Sequence, residues 1–189
     1  MKKYDAIMIG FGKGAKTLAG KLAAGGSKVA MIEKDAGMYG GTCINVGCIP
    51  SKSLVRSSGL AALETEASFE EKAEKYRLAI EEKRRLTDML RRKNYGKLAD
   101  NPNIDVILGK ASIVSNTVVQ IVTDQETVAI EGEKIFINTG GTPVIPAIEG
   151  LADNPYVYTS ASLMDLDQLP KRLVIIGGGY IGLEFASMY

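Results

Sequence analysis

The only two cysteines of the chain, Cys43 and Cys48, lie in one short string, GGTCINVGCIPSK, from Gly40 to Lys52. On a regular helix that separation puts the two Cα atoms roughly 8–9 Å apart, whereas a disulfide tolerates up to about 7 Å. A bond between the sulfurs therefore requires the backbone between them to leave helical geometry, which Asn45 and Gly47 permit. Strain of that kind makes a disulfide easier to reduce. Gly40-Gly41-Thr42 reads as a loop feeding a helix that continues through Leu54 and Val55 despite Pro50. Both sulfurs are then expected near a helix N-terminus, where positive potential favours thiolate, and Lys52 adds a cation one turn beyond Cys48. The chemistry is thiol redox. The plain alternative is a pair of structural thiols, and a metal site would need further ligands.

Such a pair needs a scaffold, and the flanking sequence supplies one. Tyr4 to Ile9 is an apolar run of strand length, followed by the turn Gly10-Phe11-Gly12-Lys13-Gly14-Ala15 and a helical pattern through Leu18, Leu22 and Ala23. Gly10 permits the tight turn, Gly12 lets a pyrophosphate approach the backbone, and Ala15 takes the position where a small residue lets helix pack on strand. Lys28 to Ile32 predicts a second strand ending in Glu33, where a carboxylate can bind ribose hydroxyls. A second complete turn, Gly177-Gly178-Gly179-Tyr180-Ile181-Gly182, follows the apolar run Arg172 to Ile176 and opens a helix through Leu183, Phe185 and Ala186. Two dinucleotide-binding units are expected.

Between them, Phe69 to Arg92 predicts a charged amphipathic helix on Phe69, Ala73, Tyr76, Ile80, Leu86, Met89 and Leu90, with Glu71–Lys75 and Glu81–Arg85 as supporting pairs. Tyr95 to Asn103 reads as a turn. Short strands are predicted at Asp105 to Leu108, Ser112 to Val114, Val118 to Val122, Thr127 to Ile130 and Lys134 to Ile137, the middle ones as an antiparallel meander. Tyr156 to Leu169 reads as a connector with a short helix begun by Ser160 or Ser162 and stopped by Pro170.

At 189 residues the chain suits one large or two small domains, and a net charge of +1 gives no reason to propose nucleic acid or anionic membrane as a partner. The apolar run after Lys2 and Lys3 is too short for a signal peptide or a membrane span. A cytoplasmic protein is expected, and in a reducing compartment paired cysteines serve catalysis more often than structure.

The string around the cysteines closely resembles the redox-active disulfide motif of the class I flavoprotein disulfide reductases, the family of dihydrolipoamide dehydrogenase, glutathione reductase and mercuric reductase. Within that family, GFGKGAKTLA, NPNIDVI, GEKIFINTG and GGGYIGLEFASMY look most like the bacterial reactive-chlorine-resistance flavoproteins. That subgroup is described as reducing hypothiocyanous acid with NAD(P)H, and some members as reducing copper. Dihydrolipoamide dehydrogenase or a mercuric-reductase-like enzyme is the alternative, and a non-catalytic dinucleotide-binding module is the alternative of another class.

The resemblance implies an α/β fold. A Rossmann-like FAD-binding domain, parallel sheet plus antiparallel meander, would occupy 1–150 with the redox disulfide. A connector would follow at 151–170, and the start of a Rossmann-like NAD(P)-binding domain at 171–189. It implies FAD contacts at Gly10, Gly12, Ala15, Glu33, Lys34, Gly41, Thr42, Lys52, Ala111, Thr139, Gly140 and Gly141. It implies NAD(P)H contacts at Gly177, Gly179, Tyr180 and Gly182, with Gly182 leaning to NADH. Cys48 would face the flavin and Cys43 a small-molecule oxidant or disulfide substrate. Lys52 and Glu184 would form an ion pair beside the flavin, where a buried lysine needs a carboxylate partner, and Tyr180 would cover the nicotinamide pocket. The family draws its general acid/base histidine from a C-terminal dimerisation domain, and this chain has no histidine. The sequence is thus expected to be the N-terminal part of a homodimeric enzyme, inactive by itself.

Overall fold

A computed structural model describes residues 1–189. The chain divides into two compact units, one formed by Met1–Asn45 with Asp88–Gly141, the other by Val46–Thr87 with Thr142–Tyr189. No helix is long and apolar enough to cross a membrane.

The first unit is built on a six-stranded sheet of β1 (Lys2–Ile9), β2 (Val29–Glu33), β3 (Ile104–Leu108), β4 (Lys110–Ile113), β5 (Val118–Val122) and β6 (Thr127–Ile137), in the order β3-β2-β1-β6-β5-β4. The ladders joining β3, β2, β1 and β6 are parallel. Those joining β6, β5 and β4 are antiparallel, which gives the expected meander. Side chains alternate across the pleat. Ala6 and Met8 of β1 and Val29 and Met31 of β2 face one core, whereas Ile7, Ala30 and Ile32 face another with Val119, Ile121 and Ile130. Every residue of β2 is buried, as befits a parallel strand covered on both faces.

Helix α1 (Lys13–Ala24) meets this sheet through Ala15, Ala19 and Ala23, all buried, rather than through Leu18 and Leu22, which stay partly exposed at the margin. An alanine stripe lets the helix axis approach the strands closely, and this is the packing reason for a small residue at position 15. Register then places the ends of three strands level: Ile9 lies opposite Ile32 of β2 and Ile137 of β6. The glycine turn, Glu33 and the Asn138–Gly141 segment consequently emerge at the same end of the sheet, where ligands of such folds bind.

Three expectations are corrected, the last of them in the part of the long helix that belongs to the second unit. β6 is one strand running through Gly132, not two, because Gly132 stays in the ladder opposite Tyr4 of β1, where a Cβ would crowd Ile7 Cγ1 at 2.7 Å. Helix α4 runs from Phe69 to Ala99, through the segment expected to turn at Tyr95 and Gly96. A helical glycine costs about 1 kcal/mol, but Leu98 is buried in the core and Tyr95 lies 4.7 Å from the Tyr39 ring, and this packing outweighs the propensity. The helix pairs also differ. Arg77 pairs with Glu74 and Glu81, Lys75 pairs with Glu64, and Glu71 instead accepts from the Ser68 backbone N–H at 2.7 Å, closing the start of α4.

The second unit packs α3 (Cys48–Ala61), the first part of α4, the short α5 (Ser160–Leu163) and α6 (Tyr180–Met188) around Leu54, Ala79, Ile80, Leu163, Met164 and Phe185. Thr159, not a serine, caps α5 by a reciprocal bond with Ser162, and the helix stops well before Pro170. Tyr76 donates to the Leu166 carbonyl and Tyr189 to that of Leu163, each at 2.8 Å. The buried face of α4 here includes Lys83, which pairs with Asp165. Residues 172–176 form no strand, since no other segment of the chain provides a ladder beside them, and Val174 and Ile176 are exposed.

Candidate redox and dinucleotide site

In the first unit the glycine turn is shaped by strand ends and by Glu33. Gly10 has φ +102 and donates its N–H to the Ile32 carbonyl at 2.8 Å. A Cβ at Gly10 would lie 2.3 Å from the Asn138 carbonyl oxygen, so the position excludes any side chain. Glu33, buried at the end of β2, accepts the Phe11 N–H on Oε2 at 2.9 Å and the Lys34 and Asp35 N–H groups on Oε1 at 2.8 and 3.3 Å. The carboxylate thus fixes the glycine turn to the end of β2. Two lone pairs per oxygen leave one further acceptor position on Oε2, so a ribose hydroxyl can share it.

Gly12 was expected to admit a pyrophosphate; in the structure its close neighbours belong to the chain. A Cβ there would lie 2.4 Å from Asn138 Nδ2, and one on Gly41, at φ +76, would lie 2.6 Å from Gly12 Cα. Gly140, at φ +73, comes within 4.0 Å of Thr42 Oγ1 by the same measure. Gly10, Gly12, Gly41, Thr42 and Gly140 therefore gather at the start of α1. Thr139 and Gly141 flank Gly140 as exposed residues, and Lys34 is exposed after β2. Ala15 is buried against the sheet, and Ala111 pairs with Ile121 within the meander and packs on the second core face. The first turn of α1 carries no acidic residue and no side-chain cap. Its N–H groups and helix dipole suit a pyrophosphate, and the residues present fit FAD.

The cysteine segment is not one continuous helix. Cys43 lies in a single turn, α2 (Thr42–Asn45), and Cys48 is the first residue of α3; Gly47, at φ −137 and ψ −113, breaks the helix between them. The break at Gly47 is the departure that the spacing demands. Both are thiols in this structure, Cys43 half-buried and Cys48 exposed. Cys48 alone opens a long helix, so the dipole argument applies to it and not to Cys43. Asn45 locks the α2 turn, donating to the Tyr39 and Gly41 carbonyls at 3.1 and 3.0 Å and accepting from Arg91 Nε at 2.9 Å. Sequence reading gave Asn45 only conformational tolerance and missed these tethers.

In the second unit the Lys52 ammonium, one turn along α3 from Cys48, pairs with Glu184 Oε1 of α6. Lys52 is 67% exposed and Glu184 26%, so the pair forms without the burial expected of the lysine. Phe185, buried in the helical core, is the residue that seats α6. Tyr180, the first residue of α6, is exposed. Gly177 has φ +106, and a Cβ on Gly182 would lie 2.6 Å from the Gly177 carbonyl oxygen, so the turn closes on itself at the third glycine. Gly179 has open space beside it.

A family profile described as pyridine nucleotide-disulphide oxidoreductase matches residues 4–189. The chain belongs to that family. Among curated members it is 47% identical over 189 residues to the probable pyridine nucleotide-disulfide oxidoreductase RclA of Escherichia coli, covering 100% of this chain and 40% of that protein. It is 37% identical over 191 residues to the mercuric reductase of Lysinibacillus sphaericus, covering 98% of this chain and 34% of the reductase. The solved Cu(II) complex of the HOCl-induced flavoprotein disulfide reductase RclA from Escherichia coli superposes with a TM-score of 0.89 at 48% identity, over 100% of this chain and 40% of that one. The chain thus spans about 40% of the length of the E. coli relative. The fold is that of the flavoprotein disulfide reductases, with a Rossmann-like FAD-binding unit.

Proposed function

We propose that the whole protein is an NAD(P)H-dependent flavoprotein that reduces a Cys43–Cys48 disulfide and passes the electrons to a small oxidant such as hypothiocyanous acid. The observation that carries this reading is the Lys52–Glu184 pair. It joins the helix begun by a redox cysteine to the helix opened by the second glycine turn, which is how the nicotinamide half of such an enzyme would be coupled to its thiol half. FAD, when bound, supplies the two-electron relay between nicotinamide and disulfide. Residues 1–150 with their cradle of Gly10, Gly12, Gly41, Thr42 and Gly140 are assigned to FAD, and the turn at Gly177, Gly179 and Gly182 with Tyr180 to NAD(P)H.

The chain's own residues then do the following. Glu33 holds the glycine turn for the pyrophosphate and offers an acceptor to the ribose. Lys52, kept in place by Glu184, provides a fixed cation for negative charge developing during electron transfer. In the reduced protein the Cys43 thiolate attacks the sulfur of hypothiocyanous acid, releasing hydroxide and forming a mixed sulfenyl thiocyanate. The Cys48 thiolate then attacks Cys43 Sγ, expels thiocyanate and restores the disulfide. The oxidant gains the two electrons that the dithiol loses. A homodimer in the cytoplasm belongs to the same reading.

Mercuric ion as oxidant is the second reading, favoured by the 37% identity to a mercuric reductase. The test is NAD(P)H oxidation by the whole, FAD-loaded protein with hypothiocyanous acid, lipoamide and mercuric thiolate offered in turn. Turnover with hypothiocyanous acid is expected, and turnover with lipoamide or mercuric ion alone would replace the proposed substrate.

A further inference from the structure

Lys16 belongs neither to the nucleotide cradle nor to the ion pair on α3. It sits at the start of α1, its backbone N–H donating to the Gly12 carbonyl at 3.0 Å, and its ammonium reaches across to donate to Asn94 Oδ1 on α4. Asn94 is held for this purpose, since its Nδ2 donates to the Leu90 carbonyl at 2.7 Å and leaves Oδ1 to the lysine. Between these two helices runs the segment leading to Cys43. A Cβ on Gly40 would lie 3.5 Å from Asn94 Cγ, and one on Gly41 would lie 2.6 Å from Gly12 Cα. Cys43 follows at once in α2, whose Asn45 accepts from Arg91 at 2.9 Å, one turn before Asn94. The half-buried thiol and the half-buried ammonium are thereby fixed by the same two helices.

Asn94 is neutral, so its oxygen orients the ammonium without cancelling its charge. Burial holds Lys16 below its ordinary value; a charge on Cys43 would pull it back up, and Lys13 and Lys97 push it further down. An attraction between two groups acts on both. Cys43 lacks the long-helix N-terminus that Cys48 has, and a lysine anchored between the same two helices is a different source of the same thiolate stabilisation.

We propose that Lys16, oriented by Asn94, is a positioning residue that keeps Cys43 as a thiolate in the reduced protein and so sets its reactivity toward the oxidant. The inference rests on the redox reading above, but its test does not use turnover. The whole FAD-loaded protein is reduced, and the rate at which iodoacetamide labels the Cys43-containing peptide is followed by mass spectrometry as a function of pH. In Lys16→Met the profile moves to higher pH, with labelling near pH 7 slowed by about tenfold, the equivalent of one pKa unit. Lys16→Arg retains most of the wild-type profile, and Asn94→Ala, which frees the ammonium, moves it part of the way. An unchanged profile in both Lys16→Met and Asn94→Ala overturns the proposal, as does an equal loss in Lys16→Met and Lys16→Arg. Should Lys16→Met fail to fold, Asn94→Ala decides by itself, its partial shift supporting the proposal and an unshifted profile overturning it. Failure of the redox reading shows separately, as wild-type protein whose disulfide NAD(P)H does not reduce.

Discussion

The Lys52 ammonium of α3 is paired with the Glu184 carboxylate of α6, across 132 residues of sequence. With Lys52 largely exposed, such a pair adds only about 0–1 kcal/mol to stability, so its worth lies in where it holds a charge. Lys52→Met and Glu184→Gln are expected to change the unfolding free energy by less than about 1 kcal/mol. Flavin reduction by NAD(P)H in the whole protein is expected to slow by about tenfold or more. Rapid mixing and denaturant titration separate the two effects, and an unchanged reduction rate would remove the pair from the mechanism.

The two cysteines are expected to divide their work. In the whole enzyme, Cys43→Ser should keep the long-wavelength colour that a thiolate gives beside an oxidised flavin, because Cys48 remains, and Cys48→Ser should lose it. Absorbance after mild reduction reads this directly, and the opposite pattern would exchange the two assignments.

Gly41 and Gly141 provide a matched pair of alanine substitutions. Gly41 has positive φ and its Cβ would strike Gly12 Cα at 2.6 Å, whereas Gly141 has open space. Gly41→Ala should cost about 1–3 kcal/mol from backbone strain alone and lower the FAD content of the purified protein, while Gly141→Ala leaves stability within about 0.5 kcal/mol. Bound flavin per chain and the denaturation midpoint are the measurements.

Tyr4 gives the first unit an alkaline limit. Its side chain is buried and its hydroxyl donates to Asp105 at 2.8 Å, and burial first, then that hydrogen bond, raise its pKa from 10.0 to about 12. The folded-state value is above the unfolded one, so this contribution to stability is complete below pH 10 and is lost as pH rises toward about 12. Denaturation midpoints at pH 9 and pH 11 should therefore fall more in the wild type than in Tyr4→Phe. Equal falls would show that Tyr4 contributes nothing to the limit.

Much of this architecture is legible in the residues because local pattern and tertiary demand agree there. Both glycine turns, Glu33 at the end of β2 and the meander follow from motif and spacing, and the Lys52–Glu184 partnership follows from the resemblance to the family. The misses share a physical cause, which is packing that overrides local signals. Gly96 reads as a helix end, yet Leu98 and Tyr95 carry α4 past it. Thr127 to Ile130 and Lys134 to Ile137 read as two strands, yet Gly132 keeps the ladder with Tyr4 and makes them one. Lys83 falls outside the apolar stripe read for this helix, yet it is buried and pairs with Asp165. Residues 172–176 read as a strand, but a strand exists only beside another one. The Lys16–Asn94 bond joins residues 78 positions apart and has no motif to announce it.

The central claim is that electrons from a nicotinamide pass beyond the flavin to the two cysteines, and anaerobic titration of the whole FAD-loaded protein with NAD(P)H tests it most directly. The wild type is expected to accept two electrons, one NAD(P)H, more than the Cys43→Ser, Cys48→Ser double variant, and two further thiols become titratable as it does so. Identical uptake by the two proteins, with no new thiols in the wild type, would contradict it.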